Sequence, residues 1–165
     1  MPTTCALHSV DPGAVLDLAI SSPDAPLRAR ALRCAGELGR RDLLPACVEH
    51  LTDEDRACTL WAAWSAALLG DRGPAIALLR QLSLSPNPHR NRALQVALKV
   101  LDSDGAHAVL GALAKDPANQ RALLQGAGVA GDLHYVPWLI KQIEDPKLTR
   151  LAGESFSMPI PKNKM

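Results

Sequence analysis

The amino-acid sequence predicts an all-α solenoid, a superhelix of about four to five stacked helix pairs with no sheet. Apolar residues make up 47% of the 165-residue chain, yet aromatics only 3%. An interior with so few rings is filled by Ala, Leu and Val at close range, which suits helices lying near one another. A phrase also recurs, in which an Ala- and Leu-rich helix ends near Leu-Gly or its equivalent and a shorter helix follows. Its turn markers, Gly39, Gly70, Asp102 and Gly131, are spaced 31, 32 and 29 residues apart. No stretch alternates apolar and polar residues with β-branched or aromatic enrichment, as a half-buried strand would.

Taken in order, Asp11-Pro12-Gly13 opens a helix over Ala14 to Ile20. It reads as the second helix of a unit whose first helix is missing, so that the solenoid begins in mid-repeat. Fuller units follow at about 25–52, 56–83, 89–114 and 118–144, each too short to bury its apolar stripe without a stacked neighbour. In the first of them Leu32, Ala35 and Leu38 recur at helical spacing, with Arg33 and Glu37 facing away. Glycine closing each first helix fits the left-handed C′ position, and Asp102 reads as a less comfortable occupant of the same position. Pro45, Pro74 and Pro137 fall in the first turn of a second helix, where the missing N–H removes no internal hydrogen bond. Asp53 reads as an N-cap, and Gly126-Ala127-Gly128 as a place where another helix comes close. A further first helix begins within 146–158, and the Pro159-Ile160-Pro161 run cannot continue it. One domain over 1–158 with an extended tail at 159–165 is therefore expected.

Bulk properties narrow the function classes. Eighteen Lys plus Arg against seventeen Asp plus Glu give a balance of +1, which supplies no large attraction to nucleic acid or an acidic membrane surface. No segment reaches the roughly 18 consecutive apolar residues of a membrane helix. Met1 to His8 lacks the basic start and long apolar run of a secretory signal. Cys5, Cys34, Cys47 and Cys58 form no C-x-x-C pair and read as buried thiols. A cytoplasmic location suits them.

The units, Arg28 to Leu51 most closely, resemble HEAT repeats of the short kind first noted in phycobilin lyases. Near the end, Arg150-Leu151-Ala152-Gly153-Glu154-Ser155-Phe156-Ser157 resembles the RLAGE-x-F-S phrase of an uncharacterised bacterial HEAT-repeat family sometimes found beside type VI secretion genes. That likeness implies an intracellular bacterial adaptor, or a neutralising immunity partner of a secreted effector, with no catalytic residues to carry over. The family's phrase continues differently from Met158-Pro159-Ile160-Pro161 here, which reads as a trimmed relative that kept the repeat core.

Chemistry-bearing residues are sparse in pattern. His8, His50, His89, His107 and His134 are scattered without metal-ligand spacing, and no phosphate-cradling loop occurs. The acidic run Asp53-Glu54-Asp55 reads as turn and cap residues, and the set Cys34, Cys47 and His50 as packing. No enzyme, cofactor or metal is expected. Trp61, Trp64, Trp138, Arg90 and Arg92 could line the basic aromatic surface of a HEAT-like DNA glycosylase, but helical spacing places at least one of Trp61 and Trp64 in the core. Second helices of such solenoids line the concave face. A partner protein, a secreted effector or a secretion component, is therefore expected on Glu49, His50, Arg80, Gln81, Tyr135, Trp138, Lys141 and Gln142. The alternatives are a phycobilin-lyase-like chromophore handler, a glycosylase, and a structural repeat that self-associates through uncovered terminal units.

Overall fold

The structure is a computed structural model and describes residues 11–156. Cys5, His8 and the expected tail at 159–165 lie outside the described residues. Among the described residues there are ten α-helices, four short 3-10 turns and no strand, and the chain is an all-α repeat protein of the solenoid class. Two compact units divide it after Val96.

The first unit holds α1 (Ala14–Ile20), α2 (Ala25–Leu38), α3 (Leu44–Glu49), α4 (Arg56–Leu69), α5 (Pro74–Leu84) and the start of α6 (Arg90–Val100). Helix α2 packs most extensively on α4, while α1 lies on α2 and both α3 and α5 lie on α4. Their shared interior is aliphatic and small: Leu16, Ile20, Ala31, Leu32, Ala35 and Ala62 are buried together with the thiols of Cys34, Cys47 and Cys58. The second unit holds the end of α6, α7 (Ser103–Ala114), α8 (Gln120–Ala130), α9 (Val136–Ile143) and α10 (Thr149–Phe156). Here α8 meets α7, and α10 meets both α8 and α9. Leu124, Ala127, Leu139, Leu148 and Ala152 form its core.

The repeated turn has a repeated hydrogen-bond pattern. Gly39 (φ 68°) and Gly70 (φ 117°) take the left-handed conformation, which lets the next N–H turn back onto the helix. Arg40 N–H donates to Ala35 O at 3.0 Å and Asp71 N–H to Ala66 O at 2.8 Å, closing each first helix with a Schellman-type bond. Gly131 (φ 62°) ends α8 in the same left-handed conformation. Asp102 departs from the expectation: its φ of −68° is ordinary, and its carboxylate accepts from Gly105 N–H as the N-cap of α7. Leu101 and Asp102 link α6 to α7, and Leu101 N–H closes α6 onto Ala97 O at 2.9 Å. A second correction concerns Asp53, because the N-cap of α4 is Asp55, which accepts from Ala57 and Cys58 N–H. Those two N–H donors hold the Asp55 carboxyl below its usual range, Cys58 N–H most strongly.

Two first-helix contacts are tight enough to demand glycine. A Cβ on Gly36 would stand 2.5 Å from Ser65 Oγ and 2.9 Å from Ser65 Cα. Ser65, fully buried, donates instead to Leu32 O. In the second unit a Cβ on Gly128 would stand 2.6 Å from Ser155 O and 2.8 Å from its Cα. Gly36 and Gly128 each lie three residues before the left-handed glycine that closes their helix, so the same repeat position makes the same close approach. Gly111, within α7, is the contrast, since an added Cβ there meets nothing within 4 Å. Replacing Gly36 or Gly128 by Ala is expected to destabilise by about 1–3 kcal/mol through overpacking, whereas Gly111→Ala gains about 0.5–1 kcal/mol from helix propensity. Urea denaturation of the three variants measures both signs.

Candidate functional site

In the first unit, the expected second-helix residues divide into a free set and a structural one. Glu49 on α3 and Arg80 and Gln81 on α5 are exposed. His50 is not a loose surface residue: its Nδ1 lies 3.0 Å from Asp53 Oδ2. Asp53 itself is held by Arg28 through a two-pronged contact, Nε to Oδ2 at 2.7 Å and Nη2 to Oδ1 at 2.9 Å. Arg28 also donates to Ser22 O. The Asp53 side chain is only 5% exposed and that of Arg28 15%, so this pair fastens α2 to the turn after α3 away from bulk water. Arg28, then Asp55 N–H and His50, hold the Asp53 carboxyl far below the ordinary carboxylate range. Close by, burial pushes the Cys47 and Cys58 thiols up to about 11. Both are therefore protonated at neutral pH and poor nucleophiles.

The first helices of the same unit build a different surface. Trp61 on α4 is half-buried against the core, with Arg33 of α2 at 4.7 Å and Arg92 of α6 at 4.8 Å from its ring centroid. Trp64, also half-buried, stands edge-on to Trp61 with centroids 5.5 Å apart and planes at 81°. Arg33 donates through Nε to Glu37 one turn along α2 at 2.7 Å. At least one of Trp61 and Trp64 was expected in the core; both are half-buried, and Trp61, packed on the core, also carries two guanidinium groups on its ring. This assembly was not legible in the sequence. Arg33, Trp61 and Arg92 stand 28 and 31 residues apart, close to the repeat length, which was the available signal.

In the second unit Tyr135 and Trp138 are half-buried and pack on the Leu124–Leu139–Ala152 core. Lys141 is exposed, and Gln142 accepts from Gln120 at 3.1 Å. Beside Tyr135 lies a ring cluster: His107 and His134 have centroids 5.7 Å apart, and each ring meets Tyr135 edge-on at 5.6 and 5.3 Å. Asp132 accepts from His134 N–H and lies 2.8 Å from His107 Nε2. These contacts, the backbone N–H first, hold its carboxyl low, and burial raises the Tyr135 phenol. Leu133 (68% exposed) and Ile140 (50%) project from this region. Leu133, on the 3-10 turn before α9, and Pro137 and Ile140 on α9 are all exposed.

Among the described residues no group of three or more His, Cys, Asp or Glu side chains is placed to hold a metal ion, and no helix is long and apolar enough to cross a membrane. The surface clusters on these short helices are aromatic, aliphatic and charged. Stacked helix pairs with closed first helices define the class, a helical-repeat protein. The family model for HEAT repeats matches residues 13–99, and the chain belongs to the HEAT-repeat family. No curated protein matches it in sequence.

The Arg28–Asp53 pair carries a pH signature. A depressed folded-state carboxyl contributes stability that is present above its unfolded value, about 3.9, and is lost as pH falls through the folded value. Asp53→Asn is therefore expected to cost about 2–3 kcal/mol at pH 7, since it leaves Arg28 without its charged partner. The gap between wild type and variant stays constant above about pH 5 and narrows below about pH 4. Urea unfolding of both proteins across that range checks the magnitude and the direction.

Proposed function

We propose that this chain is a protein-recognition module in which the second-helix surface of the C-terminal unit seats an apolar segment of a partner. HEAT repeats commonly mediate protein–protein interaction, and the observation that carries the reading here is the exposed Leu133–Pro137–Ile140 group. It lies beside half-buried Tyr135 and Trp138, aromatic anchors whose rotamers are already fixed by the core beneath them. Such pre-ordered rings lose little entropy on binding. Lys141 and Gln142 supply a polar rim, with Glu49, Arg80 and Gln81 as the corresponding second-helix residues of the first unit. The family is generally without catalytic function, and the module is read as a binder and not as an enzyme.

The finer reading is an immunity protein or adaptor linked to bacterial type VI secretion. It is supported by the Arg150 to Phe156 phrase on α10. Ala152 and Ser155 of that phrase are buried, where they serve helix packing, while the side chains of Arg150 and Glu154 are 89% and 61% exposed. Exposed charges on a buried packing frame suit a surface that a partner reads.

Purification of the full chain from its native host, as wild type and as the Leu133→Asp/Ile140→Asp double variant, tests the proposal. Circular dichroism establishes that the variant is folded. A stoichiometric protein partner is expected with the wild type and at least about tenfold less of it with the variant, the loss typical of central apolar contacts. A secreted toxin as that partner would mean immunity, and a secretion component would mean an adaptor. Absence of any stable partner from the wild-type preparation would overturn the reading.

A further inference from the structure

We propose that the first-helix surface around Trp61 is a docking site for an acidic, partly apolar protein segment; this rests on the protein-recognition reading above and gives the first unit a partner chemistry of its own.

The surface has a hydrophobic centre and a cationic flank. Trp61 and Trp64 lie edge to face on α4, and Leu68, 48% exposed, is one turn further along the same stripe. Trp61 is anchored in the core on one side and holds the guanidinium groups of Arg33 and Arg92 at stacking distance. A guanidinium stacked through its face keeps its in-plane N–H donors available for a carboxylate. Arg33 gives some of its donors to Glu37. Arg92 is exposed, and among the described residues no carboxylate stands within ion-pairing distance of it. The open depression beside it is lined by Pro88, His89, Asn91 and Gln95, with no acidic side chain. Arg92 is therefore a surplus cation already ordered by its ring contact, so part of the entropic cost of binding an anion is met in advance.

Complementarity assigns the ligand. A carboxylate fits the fork of Arg92, and an aliphatic or aromatic side chain fits the exposed parts of Trp64 and Leu68. Tryptophan and arginine are the residues that dominate protein-binding energetics when they stand together at a surface. Nucleic acid fits less well on two counts. Two guanidinium groups at stacking distance cover ring face that a base would need, and Glu37 beside Arg33 repels a phosphate track that bulk charge of +1 does nothing to offset.

Selection of random dodecapeptides on the immobilised full chain tests this, followed by titration of the recovered peptides against wild type, Arg92→Glu and Lys115→Glu. Lys115 is an exposed residue following α7, so its variant carries the same change in net charge at a different place. Recovered peptides enriched in Asp and Glu beside aromatic or aliphatic residues, bound at least tenfold more weakly by Arg92→Glu and normally by Lys115→Glu, support the proposal. No acidic enrichment, equal binding by Arg92→Glu, or equal weakening by both variants would overturn it. Tighter binding of a single-stranded oligonucleotide that Arg92→Glu abolishes would also overturn it, in favour of nucleic acid. The native partner from the preceding experiment separates the two readings. Its loss with the Leu133/Ile140 variant, together with failure of the peptide selection, would leave protein recognition standing and remove this site.

Discussion

Backbone-to-backbone approach between successive first helices is the constraint on which the rest of the molecule depends. Gly36 against Ser65, and Gly128 against Ser155, bring helices so close that a single methyl group has no space. Close approach explains the composition, because an interface of that kind is filled by Ala, Gly, Ser and Leu and has no room for rings. It also explains the buried hydroxyl of Ser65: a carbonyl exposed at a tight crossing needs a donor, and Leu32 O receives one from the facing helix. The three tryptophans and Tyr135, excluded from these contacts, are left for the core margin. Trp61, Trp64, Tyr135 and Trp138 are all half-buried.

Polar fastening follows from the same geometry. Short second helices cannot by themselves fix the turns that return the chain to the next first helix. In the first unit that task falls to Arg28 and Asp53, whose paired hydrogen bonds join α2 to the turn before α4. Further toward the N-terminus, Arg40 gathers Asp11, Asp17 and Asp42 and so ties α1 to the turn after α2. The two networks differ in exposure and hence in worth. The carboxylates around Arg40 are largely in water, where ion pairs contribute little, whereas Asp53 is enclosed and its partner could not be lost without leaving a charge stranded.

Packing leaves some side chains over. Once the small residues have taken the crossings and the leucines the core, each unit keeps, among the described residues, a surface cluster outside the tight crossings. In the first it is the cationic ring assembly on the first helices, and in the second the Leu133–Ile140 group beside Tyr135 and Trp138. One is charged and lies on first helices, the other apolar and on a second helix, so the two suit different chemistries of contact.

The sequence by itself determined the class of fold and most element positions. Helical periodicity, the Leu-Gly closures and the three prolines located the helices from Ala14 onward because these signals are local: a left-handed glycine or a proline at the first turn acts through its own backbone. Asp102 and Asp53 show where local signals fail. Each is a residue type with several stable uses: Asp102 caps α7 by accepting from Gly105 N–H, and the arrival of Arg28 from another helix made Asp53 an ion-pair partner. The same limit applies to binding surfaces. Tyr135 and Trp138 could be singled out as amphipathic aromatics, but their half-burial was decided by the core of Leu124, Ala127, Leu139, Leu148 and Ala152 against which they pack. Arg33, Trp61 and Arg92 are far apart in the chain and ordinary one by one. Only the tertiary fold, with Gly36 letting α2 meet α4, brought the guanidinium groups of α2 and α6 onto the Trp61 ring of α4.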